Sequence, residues 1–383
     1  MKPSSRTRRS ALPAALVGAA LVGTALAGAA LVGPGVLPAA AAAPERASEL
    51  PQLHLLGSVD IPTGTQFDGT EVGGLSGLVY DTKRKRYAAI SDDRSSRNDA
   101  RYYELTINLA DGALDDGDVE FTDVTTLTDD GAAYPEGAID PEGIALTEHG
   151  VLVSSEGNAS ALLGPSVEEF DACGEHLGGL TVPRYYEPTA DGRTGIRNNL
   201  AFESLTRTPH GRVVTATENA LAQDGPIATL TEGSRSRLAV FNPASGRVIG
   251  EYVYLTDPIP EAPVPADGWA DNGLVELVAL GEDRFLAMER AFAAGVGNDV
   301  RIYEVRLDRS RRITGNRQTA GDTKPLEKRL VADLAEDFGI APDNLEGMAL
   351  GPKLPDGRQS LILVSDNNFS TAQKTQVLAF AIS

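Results

Sequence analysis

The chain has 383 residues, Lys+Arg 34 against Asp+Glu 54, a formal charge of −20 and a single cysteine. One cysteine excludes an intrachain disulfide and leaves a Cys/His zinc cluster short of ligands, while the acidity disfavours attraction to nucleic acid or an anionic membrane. Forty glycines and 23 prolines against 5% aromatics point to many turns, and therefore to many short strands.

The first element in the chain reads as a leader. Lys2, Arg6, Arg8 and Arg9 form a basic start, residues 11–33 are an uncharged Ala/Leu/Val/Gly run, and residues 39–43 are all alanine. This layout predicts an export signal over 1–43, a single domain over 44–383 and a secreted protein free of the membrane after cleavage. Arg8-Arg9 followed by Leu12 is similar to a twin-arginine signal. An uncleaved anchor is the alternative, although glycine and alanine make the run only weakly apolar.

One pattern then recurs five times. Gly74-Leu75-Ser76-Gly77 opens a short apolar strand, and after a turn a second strand ends at Asp92-Asp93-Arg94. Asp140-Pro141-Glu142-Gly143 opens the next hairpin, which ends at Glu156. Residues 200–206, with Glu203 among them, precede a strand ending at Glu218-Asn219. Leu274-Val275-Glu276 precedes one ending at Glu289-Arg290, and Asn344-Leu345-Glu346-Gly347 precedes one ending at Asp366-Asn367. Further strand pairs fall at 102–109 with 119–127, 168–172 with 179–185, 237–241 with 248–255, and 300–307 with 326–334.

Four antiparallel strands per repeat make one blade of a β-propeller. The marked positions are nearly evenly spaced, and the residues after Glu346 together with those between Pro51 and Ser76 supply one more interval. Residues 377–382 should therefore pair with Leu53–Ile61, closing an all-β, five-bladed ring and removing its exposed edges. A six-bladed ring is the alternative, but it needs a degenerate blade that the sequence does not show.

In such a ring the first strand of each blade lines the central channel, and the second returns to the same mouth. Ser76, Glu142, Glu203, Glu276 and Glu346 then form an inner ring at one mouth. Asp92, Glu156, Glu218, Glu289 and Asp366 form a second set beside it. Carboxylates crowded in a partly dry site repel, and a hard cation offsets that repulsion. Ca²⁺ accepts six to eight oxygens, whereas Mg²⁺ demands octahedral geometry that a five-fold ring serves less well. The metal ligands expected on this reading are Ser76, Glu142, Glu203, Glu276, Glu346, Asp92 and Asp366. The competing expectation is that these acids merely cap the channel on backbone amides.

These hairpins resemble the domain family described as esterase-like activity of phytase, over most of the chain from Leu53 onward. The resemblance implies an exported propeller that hydrolyses phosphoric esters. A second similarity is to the soluble calcium-activated nucleotidases, five-bladed propellers in which serine and glutamate side chains hold calcium at the channel mouth. Ser76, Glu142, Glu203, Glu276 and Glu346 stand where that resemblance places ligands, and the run 91–94 looks like that family's first-blade motif.

A serine-hydrolase site is absent, because position 78 is leucine where G-x-S-x-G needs its second glycine. His149 and His210 fall in hairpin turns at the opposite mouth, and His54 and His176 in outer strands or loops. Cys173 reads as an inert thiol, and residues 83–86 as a solvated basic turn. Metal-assisted hydrolysis of a small phosphorylated substrate remains. Asp93, Glu156, Glu218 and Glu289 are candidate bases. Arg94 and Arg290 are candidate phosphate clamps, with Arg197 before the third blade; each arginine otherwise pairs with a rim acid. The alternative function is a non-catalytic binding propeller with a structural calcium.

Overall fold

In a computed structural model of the chain, residues 49–319 and 321–383 are described; the leader read over 1–43 lies outside them. The described residues form five four-stranded antiparallel sheets and two short ribbons. Blade one comprises Leu75–Asp81, Arg86–Ser91, Arg101–Ile107 and Val119–Thr126. Blade two holds Pro141–Leu146, Gly150–Ser155, Ser166–Asp171 and His176–Gly179. Blade three holds Thr206–Arg207, Val213–Ala216, Arg235–Asn242 and Arg247–Leu255. Blade four holds Ala270–Ala279, Arg284–Ala293, Gly297–Arg306 and Lys328–Asp333. Blade five takes Leu345–Lys353, Gln359–Ser365 and Thr375–Ile382, and its outermost strand is the N-terminal Leu53–Ile61.

The fold is a five-bladed β-propeller. Its closure is the terminal pairing, with Leu53 opposite Ile382 and Ile61 opposite Thr375. Period-two alternation decides what each strand buries. In blade one, Tyr87 and Ala89 pack toward blade five, while Ala88 and Ile90 pack toward blade two. The same alternation holds around the ring, so the described residues have five apolar cores, one at each interface between neighbouring blades. Each sheet is thus covered on both faces. That explains why the middle strands read as continuous apolar runs rather than half-polar ones.

Two expected elements differ. The fourth strand of blade two lies at His176–Gly179, not 179–185, because beyond Leu180 the chain leaves the sheet. Thr181 bridges to Arg247 of blade three, and Tyr186 is drawn inward to donate to Glu251. The inner strand of blade three is only Thr206–Arg207, with an isolated bridge between Phe202 and Thr217, rather than a strand over 200–206.

Candidate functional site

A register shift interrupts the inner pair at Leu75/Gly77, Pro141/Ile144, Leu274/Glu276 and Leu345/Gly347. A bulge of this kind re-aims a side chain away from the sheet. Ser76 and Glu346 fall between their two shifted pairs, and Glu142 lies within its interval. The glycines that follow permit the inner strands to converge. A Cβ on Gly77 would stand 2.5 Å from the Glu142 carbonyl oxygen, and one on Gly143 2.6 Å from the Leu205 nitrogen. The return strand is locked alongside by one repeated backbone bond: Asp92, Glu156, Glu218 and Asp366 donate their N–H groups to Gly74, Asp140, Ala201 and Asn344. This bond sets the outer acids beside the inner ones.

The closest group is Asp140, Glu142 and Glu156, whose oxygens can all lie within 4.8 Å of one another. Asp140 and Glu142 share a side-chain hydrogen bond, and so do Glu156 and Glu203. Burial pushes these groups up, and neighbouring acids add to it at Glu142, Glu156 and Glu203. Asp140 rises to about 6 even with Arg94 against it, and Glu156 rises to about 7. Glu142, Glu203 and Glu218 are raised well above the carboxylate range. Across the mouth, burial and then Glu346 lift Asp366 to about 8, while burial followed by Asp366 raises Asp92. Glu156 Oε1 accepts from the Ala201 N–H, and its buried Oε2 has no partner other than the Glu203 carboxyl.

Two arginines stand among these acids. Arg94 Nε donates to Asp140 Oδ1 at 2.6 Å and its Nη2 to Asn199 Oδ1 at 2.6 Å, while its side chain stays 37% exposed. Arg290 is 12% exposed, with Nη2 3.2 Å from Glu346 and 3.6 Å from Glu218, and Nη1 3.8 Å from Asp271. Burial opposes its charge, but Glu346 and Glu218 outweigh burial and raise its pKa. The arginines therefore divide the mouth. The half formed by blades three, four and five has an internal cation, and the blade-two half has only the edge of Arg94.

The structure does not bring every expected residue to this centre. Asp93 turns away from Asp92 and pairs with the buried Arg101 at 2.8 Å, while its oxygens accept the amides of Ser96, Arg97 and Asn98. As a base candidate it is replaced by a structural acid. Glu289 also leaves the mouth. Tyr254 donates to it at 2.6 Å, and the Asp257 amide, Asn272 and Lys328 saturate the rest of it. Glu276 is buried but accepts the amides of Leu277 and Leu205, because the bulge of blade four falls one residue earlier and leaves Glu276 paired with Met288. It caps the channel. The Ser76 hydroxyl donates to the Glu142 carbonyl at 2.7 Å, fastening blade one to blade two.

Arg197 braces a loop through the carbonyls of Ala220 and Gly225 and takes no part in the mouth. The 83–86 turn is exposed as expected at Lys83, Arg84 and Lys85, and Arg84 and Arg86 both clasp Glu104. His149 and His210 are exposed in their turns, and Cys173 is exposed. Asp140 was not among the expected ligands, although its place two residues before Glu142 was a usable signal. Asn344 holds the same position before Glu346 and donates to both Glu346 and Asp366.

Residues 70–369 match the family described as "Phytase-like: Esterase-like activity of phytase". The chain belongs to this family. No curated protein shows significant sequence similarity to the phytase-like chain. Among solved structures it is similar to a bifunctional GH43-CE protein of Bacteroides eggerthii, at 14% identity and a TM-score of 0.39, covering 80% of this chain and 32% of that one. The phytase-like chain thus spans about a third of that protein's length. It is also similar to the GH43_1 enzyme from Xanthomonas citri complexed with xylose, at 12% identity and a TM-score of 0.42, over 84% and 89% of the two chains. A third similarity is to the periplasmic gluconolactonase of Pseudomonas aeruginosa, at 12% identity and a TM-score of 0.35, over 87% and 99%. Likenesses this loose identify neither substrate nor reaction.

The donor set of the blade-two half is all carboxylate oxygen, and among the described residues the one basic side chain in contact with it is the partly exposed Arg94. That combination fits a hard divalent cation better than a transition metal that prefers nitrogen or sulfur.

Proposed function

We propose that this phytase-like chain is an exported, calcium-dependent hydrolase of phosphoric esters, working at the acidic mouth of its propeller. The observation that carries this reading is the group Asp140, Glu142 and Glu156, whose oxygens can all lie within 4.8 Å of one another, with Arg94 at its edge. Calcium held by these three residues would supply Lewis-acid polarisation of the ester. Arg94 has two of its N–H groups committed to Asp140 and Asn199, and the remainder serve to orient an anionic phosphoryl oxygen. Glu218, whose Oε1 has no hydrogen-bond partner, is the carboxylate that, when ionised, would take a proton from the attacking water. The water oxygen bonds to phosphorus, the bond from phosphorus to the ester oxygen breaks, and the departing alcohol takes up a proton.

Turnover of p-nitrophenyl phosphate should be abolished by EDTA and restored by calcium. Chelator-indifferent turnover, or none with any added metal, would refute the reading. A second reading is a binding propeller with a structural cation, favoured by Arg290 and Glu276, which satisfy the mouth from within. It predicts a melting temperature that responds to calcium in a protein with no activity to lose.

A further inference from the structure

The inner hairpin of blade four stands taller at the acidic mouth than the site requires. Its ladder runs on past Ala270 opposite Ala293, where the Ala294 N–H donates to the Trp269 carbonyl at 2.9 Å. Alternation assigns Gly273, Asp271 and Trp269 to one face of this strand. Gly273 fixes which face it is, because a Cβ there would lie 2.2 Å from Glu218 Oε1. Asp271 on the same face approaches Arg290 at 3.8 Å, and the Trp269 indole N–H donates to Asp271 at 3.2 Å. Phe292 lies opposite Asp271 in the register and shares that face.

The outcome is an aromatic wall rising from the acids, with Trp269 58% exposed at its top. Four residues of strand put Trp269 roughly 13 Å beyond Gly273. The loop behind it is stiffened by Pro258, Pro260, Pro263 and Pro265, and is fastened by the Val264 N–H donating to Ala294 O at 2.7 Å. Trp269, exposed and hydrogen-bonded through its indole N–H to Asp271, presents an apolar ring face beside a polar site.

Building on the hydrolase reading, we propose that the substrate is an ester with an apolar arm roughly 10 Å long, laid along Trp269 and Phe292 while its anionic head enters the acids. A compact polyanion without such an arm leaves the wall unused.

Trp269 is the single tryptophan of the chain, so its emission reports the wall directly. Titrating calcium-loaded protein with n-alkylphosphonates from ethyl to octyl, which cannot be hydrolysed, should blue-shift that emission. Affinity should rise roughly twofold per methylene, about half the gain of full burial because only one side is covered. By calorimetry, Trp269→Ser and Phe292→Ser should each flatten the chain-length dependence while leaving ethylphosphonate binding unchanged. Equal affinity for ethyl and octyl, or an emission that does not move, overturns the proposal. Chain-length-dependent binding in a protein that turns over no ester leaves the wall standing and fells the hydrolase reading. Turnover that is indifferent to the alkyl arm does the reverse.

Discussion

Glu156→Gln separates the contributions of burial, proton and cation at the blade-two acids. In the folded chain without a cation, burial pushes the Glu156 carboxyl from 4.5 to about 7. Below pH 4.5 both folded and unfolded chains hold this proton, and the group has no effect on stability. Between 4.5 and about 7 the unfolded chain has released it and the folded chain has not, so stability falls as the pH rises. Above 7 the whole loss is present, about 3 kcal/mol for a rise of this size. Glutamine has the same shape and no charge, accepts the same Ala201 amide and can donate to Glu203. In EDTA at pH 8 the variant should therefore be more stable than the parent by up to about 3 kcal/mol, a rise of about 4 °C in melting temperature.

Calcium should reverse that order, because only the parent keeps the full ligand set. At about 100 times the dissociation constant the parent gains about 2.7 kcal/mol, and at about 1,000 times about 4.1 kcal/mol. The gap should close at the first concentration and invert by about 1 kcal/mol at the second. At pH 4 in EDTA the two proteins should melt together. Thermal denaturation at the two pH values, with EDTA or graded calcium, checks all three arms. A variant that is no more stable than the parent in EDTA at pH 8, or a gap that calcium leaves untouched, refutes the reasoning.

Arg94→Ala should raise the KM for p-nitrophenyl phosphate roughly ten- to a hundred-fold by removing a charge-assisted contact, and should lower the melting temperature because the buried Asp140 loses its paired guanidinium. Arg101→Met should strand the buried Asp93 and destabilise the protein by about 3–5 kcal/mol, while activity per folded molecule stays at the parent value. Glu276→Gln keeps a carbonyl oxygen for the amides of Leu277 and Leu205, so calcium affinity measured by calorimetry should change less than about threefold, against loss of binding in Glu156→Gln.

The ring, its blade count and its terminal closure were legible because they rest on periodicity and spacing, which belong to the chain itself. Blade three shows the limit. Its inner strand shrinks to Thr206–Arg207 because the neighbouring segment is spent on holding Glu156 through the Ala201 amide, a contact across 45 residues. Carboxylate direction was less legible than carboxylate position. Asp92 and Asp93 are adjacent, and only the placement of Arg101 and the amides of the next turn sends one inward and the other out. Glu289 holds the place of the other acids in the repeat, but its strand runs on to Ala293, and Tyr254 and Lys328 of outer strands capture it. Such choices depend on partners that no local pattern announces.

Pairing the earliest strand with the latest also fixes an order of events. Glu346 and Asp366 belong to the blade completed last during synthesis, and so does the Leu345–Lys353 strand that walls one fifth of the channel. A nascent chain lacking the Thr375–Ile382 strand has no seam with which to bind Leu53–Ile61. Asp92 of blade one meets Glu346 and Asp366 only when the two ends zip together, whereas Asp140, Glu142 and Glu156 belong to one blade and meet without that closure.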